Sequence, residues 1–336
     1  MKIIYDGSMD PKQAKAVLGS VIPDMAAKDP DFIYLDADLM SCIGTLKWGK
    51  ANPDRAIECG IAEANMIGVA CGLAAAGFKP LAHSFGPFAS RRVFDQVFLS
   101  AAYAKNDITV LGTDPGVTAA LNGGTHMPFE DVALYRTIPT VTIFEPTDMV
   151  QLEDVLRQSP DLPGVKYIRV GRKDLPKVYE PGSHFTAGKA VTVREGKDCT
   201  VIAAGIMLHE ALKAAEKLAA EGIEIEVIDP VTIKPIDKEA VTASVKKTGC
   251  LVAAENHNKN GGLYDALLEV LAENCPVPAG QVAVEDEFGE VGPQKYLQER
   301  FGLTAEHIAE KVKKVIARKQ DHHRKTGLQR AAGAWA

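Results

Sequence analysis

TVTIFEPTDMVQLEDVLRQSPDLPGVKYIRV, residues 140–170, holds two apolar runs on either side of a stretch of helical composition. Residues 140–144 and 166–170 are rich in the β-branched and aromatic side chains that suit strands. Residues 148–158 read as a helix. Strand, helix and strand in that order predict a βαβ unit, because two parallel strands need a crossover between them.

The same alternation extends in both directions. Residues 32–35 and 108–111 read as further strands, and residues 63–77 and 90–104 as helices. A second series starts after Gly182-Ser183, with a strand and turn over residues 200–205 and a helix running to Leu218. Residues 224–228, 250–254 and 281–284 continue it. Pro176, Pro181, Gly182 and Gly188 interrupt the pattern between the two series, as expected at a domain boundary. The expectation is an α/β chain of two doubly wound domains, residues 1–182 and 183–318, each with a mostly parallel sheet. Residues 319–336 are expected to form a flexible tail. Ligands of such sheets gather at the carboxyl ends of the strands.

Composition bounds the function. The 336 residues are 46% hydrophobic and 24% charged, as in a globular protein with ample core material. A formal net charge of −6 gives no reason to expect nucleic acid or an anionic membrane as partner. The cysteines at 42, 59, 71, 199, 250 and 275 show neither a CxxC pair nor zinc-ligand spacing, so no metal site is expected and a reducing compartment is. The first residues lack the apolar core of a signal peptide, and no apolar run is long enough to span a bilayer. A cytoplasmic location is expected.

Three stretches carry candidate chemistry: CGIAEANM (59–66), HSFGPF (83–88) and LNGGTHMPFED (121–131). Taken in order, they resemble the central domain of the transketolase family, through G-I-x-E-x-x-M, F-x-x-F and G-x-T-H-x-x-x-E-D. The resemblance continues into EPTD (145–148), RKDLP (172–176), IDPVTIKPID (228–237) and AENHNKNGGL (254–263). It implies a thiamine pyrimidine-binding domain over residues 1–182 and a Rossmann-like transketolase C-terminal domain over residues 183–318. Family members bind the diphosphate and its divalent metal through a GDG motif and a later asparagine. This sequence contains no GDG. The resemblance therefore implies the C-terminal subunit of a split, two-chain transketolase. The cofactor would be thiamine diphosphate, with magnesium held by a separate N-terminal subunit, in an α2β2 assembly.

The roles implied by the resemblance are chemically coherent. Glu63 would hydrogen-bond the pyrimidine N1′, turning the amino group of that ring into a base. Taken alone, a Glu at a helix start is adequately explained by the helix dipole. Phe85 and Phe88 match positions that enclose the pyrimidine, where a flat heterocycle gains from aromatic faces. His126 matches a histidine facing the substrate carbonyl or hydroxyl end, and Arg172 the arginine that binds the sugar phosphate. Asp38 matches a family Ala-Asp-Leu segment near the cofactor, where it would bind the cofactor or order the loop.

The sequence also departs from the pattern. The family's phosphate-side histidine falls on Asp114, where an anion is unfavourable unless a cation intervenes. An aspartate that contacts a substrate hydroxyl is Asn122 here. The phosphate-site serine falls near Ser41-Cys42, and an arginine expected around Pro11-Lys12 is not evident. The resemblance implies a two-carbon ketol transfer from an anionic ketose to an aldose, and these differences predict that the donor or acceptor is not a standard pentose phosphate, an unusual phosphorylated or a sulfonated sugar being candidates, or that it binds in an altered register. Alternatives are a subunit of another thiamine diphosphate enzyme, like deoxyxylulose phosphate synthase or a 2-oxoacid dehydrogenase β subunit, or a non-catalytic scaffolding paralogue.

Overall fold

A computed structural model describes the backbone of residues 1–333 and the side chains of residues 1–321. Seven strands build the first sheet: β1 (Phe32–Asp36), β2 (Ala56–Glu58), β3 (Lys79–Phe85), β4 (Ile108–Thr113), β5 (Thr142–Phe144), β6 (Val165–Val170) and one strand from the second half of the chain. Strands β1, β4 and β6 are buried along their whole length. That is why they read as continuous apolar runs rather than alternating ones. Helices Ala14–Lys28 and Met149–Gln158 pack together and belong to the same core as the inner faces of these strands. Asp148 caps the second of them, its side chain accepting from the Gln151 N–H.

The second sheet has five strands in the order β12–β11–β8–β9–β7: β7 (Val191–Arg194), β8 (Cys199–Ala203), β9 (Ile225–Asp229), β11 (Leu251–Asn258) and β12 (Ala279–Val284). Only the edge strand β7 runs antiparallel. The missing strand is β10 (Thr232–Lys234), which leaves its own domain and pairs antiparallel with β5, completing the first sheet. Strand exchange of this kind ties the two domains together. The boundary expected at residues 182 and 183 falls in the irregular stretch between β6 and β7, and the limit expected at 318 falls within the last helix. The expected tail falls partly outside the described residues: the last helix runs Ala305–Gly333, and the side chains from residue 322 onward are among those not described.

The segment expected as a helix over residues 90–104 is instead a short 3₁₀ turn, Arg91–Val93, followed by a π-helical stretch, Gln96–Tyr103. Such wide turns are uncommon and gather near functional sites.

A buried acid sits where the domains meet. Asp229, at the end of β9, accepts bonds from Tyr179 Oη at 2.7 Å, Gln151 Nε2 at 3.0 Å and the Val231 N–H at 2.8 Å. Burial outweighs these donors and pushes its carboxyl up to about 6. The folded chain therefore holds a proton that the unfolded chain releases near the ordinary aspartate value. Stability from this group is fully present below that value and is lost as pH rises through about 6. Between pH 4 and 7 the wild-type chain should lose roughly 2 kcal/mol relative to Asp229→Asn. Urea unfolding of both proteins across that range checks this; a pH-independent difference would show that Asp229 does not titrate there.

Candidate active site

The carboxyl ends of β1, β3, β4 and β6 lie side by side, and the loops that follow them carry most of the candidate residues. Beneath these loops runs a buried polar chain. Asp36 Oδ2 lies 2.7 Å from His83 Nδ1, and His83 Nε2 lies 3.0 Å from Thr113 Oγ1. Tyr34 Oη also donates to Asp36. One side chain from each strand end thus fixes the relative height of β1, β3 and β4.

Glu63 is the first residue of helix Glu63–Ala75 and is only 2% exposed. Its Oε1 accepts from Ser84 Oγ at 3.2 Å and its Oε2 from Arg92 Nη1 at 2.8 Å. The Arg92 guanidinium lies over the Phe88 ring, 3.9 Å from its centroid. Phe88 and Phe85 in turn meet the His126 ring edge-on, at centroid distances of 5.1 and 5.9 Å. The Arg172 guanidinium lies over the Phe85 ring, 4.8 Å from its centroid.

Arg172 is held by Asp114, which is buried and adopts a left-handed backbone with φ 58°. The carboxylate accepts from Arg172 Nε at 2.8 Å, Nη2 at 2.5 Å and the Arg172 main-chain N–H at 3.1 Å. Burial opposes the charge on Arg172, but Asp114 overcomes it and raises the guanidinium pKa further. The cation that an acid at position 114 requires is therefore Arg172 itself.

Glu63, Arg92, Phe88, His126, Phe85, Arg172 and Asp114 form one connected set of contacts at the strand ends, with Arg92 as the link between Glu63 and Phe88. Two other candidates stand apart. Asn122 ends the 3₁₀ turn Gly116–Asn122 with its side chain exposed. Asp38 is also exposed, with φ 63°, and its main-chain N–H donates to Glu58 Oε1 at 2.8 Å. The same oxygen accepts from the Gly60 N–H at 2.9 Å, so Glu58 joins the loop of Asp38 to the loop that leads into Glu63.

Sequence reading missed the residues that hold the loops. Arg91 donates to Glu130 Oε1 at 2.7 Å and to the Thr125 carbonyl at 3.0 Å, fixing the turn that carries His126. Asn256 reaches across from the second domain. Its Oδ1 accepts from the Val117 N–H at 2.9 Å and its Nδ2 donates to the Pro115 carbonyl at 3.0 Å, bracing the loop that carries Asp114. Gly116 allows this: φ is 53°, and a Cβ would sit 2.1 Å from Asn256 Oδ1. The motif at residues 254–263 marked Asn256 as part of a pattern, but not as a brace. Among the described residues, no group of three or more His, Cys, Asp or Glu could hold a metal ion, and the six cysteines are free.

Residues 11–177 match the family model for the transketolase pyrimidine-binding domain, and residues 188–308 match that for the transketolase C-terminal domain. The chain belongs to the transketolase family. It is 51% identical over 296 residues to the 6-deoxy-6-sulfo-D-fructose transketolase subunit SqwH of Clostridium sp. (strain MSTE9), covering 88% of this chain and 92% of that one. It is 34% identical over 286 residues to a subunit of the apulose-4-phosphate transketolase of Phocaeicola vulgatus, covering 85% and 91%. A solved structure described as a split gene transketolase, inactive beta4 tetramer, superposes with a TM-score of 0.83 at 37% identity, covering 91% of this chain and 98% of its own. The transketolase fold thus accounts for both sheets. No helix among the described residues is long and apolar enough to cross a membrane.

Proposed function

We propose that this chain is the C-terminal subunit of a two-chain, thiamine diphosphate-dependent transketolase that moves a two-carbon ketol unit from an anionic ketose to an aldose. The observation that carries the reading is the seat of Glu63. A buried carboxylate at a helix start, beside Phe88 and in line with His126 and Arg172, fits an aminopyrimidine ring with its N1′ on the acid and its face on the aromatic ring. The cofactor, when bound, supplies the nucleophilic carbon and the electron sink for breaking and remaking the bond next to the ketose carbonyl. Glu63 holds the proton shared with N1′. His126, half-buried between the two phenylalanines and the cleft, hydrogen-bonds the sugar's oxygens and moves protons as the bond breaks. Arg172 anchors the anionic end.

The residues for the diphosphate and its magnesium belong, on this reading, to an N-terminal subunit with a GDG motif. A surface suited to such a partner lies next to Glu63. Gly68 and Gly72 on helix Glu63–Ala75 have open space where a Cβ would stand, and Ile61, Leu99 and Tyr103 nearby are 75%, 49% and 79% exposed. The names of the relatives, each a subunit, and of the split-gene structure support a partner-dependent enzyme, and an α2β2 assembly is the simplest closed form.

Co-expressing this chain with a GDG-bearing partner from the same genome, and assaying each chain alone and the pair, tests the reading. Ketol transfer and calorimetric binding of thiamine diphosphate are expected only from the pair. Turnover by this chain alone, or a pair inert toward every anionic ketose offered, would defeat it.

A further inference from the structure

We infer that Asp114 sets the charge class of the substrate, making the anionic end of the cleft receptive to a singly charged sulfonate and unfavourable to a doubly charged phosphate monoester. The inference rests on the two-carbon transfer reading and adds to it a residue that selects among anionic ketoses. Its basis is the pairing at the end of that set of contacts. Three donors of Arg172, its Nε, Nη2 and main-chain N–H, already engage the Asp114 carboxylate, while Nη1 reaches only the Cys42 carbonyl at 3.5 Å. The Arg172 side chain remains 22% exposed, which leaves room for it to donate to a ligand. The pair as a whole carries no net charge. Pressed against it are Phe85 and Cys42, whose carbonyl accepts from Nη1 and whose thiol also faces the guanidinium, and His126 meets the same Phe85 ring.

Asp114 cannot swing away to admit a larger charge. It is 2% exposed, its N–H donates to the Val170 carbonyl at 3.0 Å, and the following loop is braced by Asn256. A sulfonate carries one negative charge at every working pH. A phosphate monoester carries between one and two, its second proton leaving near pH 6. Taken by itself, the repulsion between an extra unit charge and a carboxylate about 4 Å away amounts to about 6-fold in affinity even in fully aqueous surroundings, and to more as the dielectric falls. Arg172 attracts the same extra charge, but it is already shared with Asp114, and that sharing separates this end of the cleft from one served by a free arginine.

The test uses the reconstituted pair and two ketoses that differ only at C6, 6-deoxy-6-sulfofructose and fructose 6-phosphate, with one common acceptor. The readout is the ratio of kcat/KM for phosphate to that for sulfonate. Phosphate esters are one atom longer, but that difference is the same in every protein compared, so a change in the ratio isolates charge. Asp114→Asn keeps an oxygen for Arg172 and tolerates the left-handed backbone. It is expected to raise the ratio about 10-fold, mainly through KM for the phosphate, and Asp114→His is expected to raise it further. A rise of threefold or more supports the inference. A smaller change, or an equal loss on both sugars, overturns it. The wild-type pair supplies a second measurement that needs no variant: its ratio should rise several-fold as pH falls from 8 to 5.5, following the second ionisation of the phosphate. A flat ratio also overturns the inference. A wild-type pair inert toward both sugars but active on another anionic ketose would overturn the selectivity alone, whereas a pair inert toward every anionic ketose would refute the transfer reaction itself.

Discussion

Glu63→Gln in the assembled pair is expected to lower turnover about 10²- to 10⁴-fold, the range associated with losing a positioned proton-transfer group. The substitution preserves size and leaves an oxygen that can still accept from Arg92 Nη1 or Ser84 Oγ, the two partners of the native carboxylate. It removes only the ability to carry the proton shared with N1′. The lost ion pair matters little for folding. The glutamine keeps a hydrogen-bond acceptor for either donor, and Arg92, 42% exposed, is left with access to water rather than stranded as a buried charge. Loss of activity with intact assembly, cofactor binding and unfolding midpoint is therefore the expected signature. Steady-state ketol transfer, calorimetry with thiamine diphosphate and chemical denaturation on the same preparations separate these quantities. Turnover within threefold of wild type would remove Glu63 from the mechanism. Equal loss of turnover and of assembly would make it a structural residue.

Much of the fold was legible because its strands are buried on both faces. FIYLD in β1 and VKYIRV in β6 are hidden along their full length, and such segments stand out as unbroken apolar runs. Strand β10 was not legible as a member of the first sheet. Nothing local in IDPVTIKPID tells Thr232 that its partner is Phe144, eighty-eight positions earlier, rather than a strand of its own domain. The π-helical stretch Gln96–Tyr103 has the composition of an ordinary helix, and composition does not report the hydrogen-bond register. The site divides along the same line. Residue types that chemistry demands, such as Glu63 and His126, carry a pattern. Residues that only hold them do not. Glu130 and Asp131, grouped with the T-H motif as functional, serve as anchors: Glu130 for Arg91, and Asp131 for Arg169 and Tyr167. The sequence also exposed the anomaly at Asp114, but only the folded structure shows that its compensating cation is Arg172.

Arg169 is where the largest loss of stability is expected. It lies in β6 and is fully buried, with Nε and Nη2 donating to Asp131 at 2.8 and 3.1 Å and Nη1 ion-paired to Glu145 at 2.7 Å. Tyr167 Oη donates to Asp131 as well, at 2.7 Å, and Nη2 also reaches the Asn256 carbonyl at 3.1 Å. Arg169→Met would strand two buried carboxylates without their cation, close enough to Glu255 for all three to repel. Breaking one side of such a buried pair costs about 3–5 kcal/mol, a third or more of a typical domain's stability. Lysine would not substitute well, because one ammonium cannot match the fork that spans both acids. Burial already raises the Glu145 carboxyl, so the variant should recover part of the loss as pH falls and that acid takes up a proton. Removing the acids together with the arginine, as Arg169→Met with Asp131→Asn and Glu145→Gln, should restore much of the stability if stranded charge is the cause; urea denaturation of the single and triple variants decides it. Equal instability in both would trace the loss to packing instead. The Asn256 contact gives the cluster a second reach. The residue whose carbonyl meets Arg169 also braces, through its side chain, the loop that positions Asp114. Loosening the charged core should therefore widen the site's choice of anion before the chain unfolds.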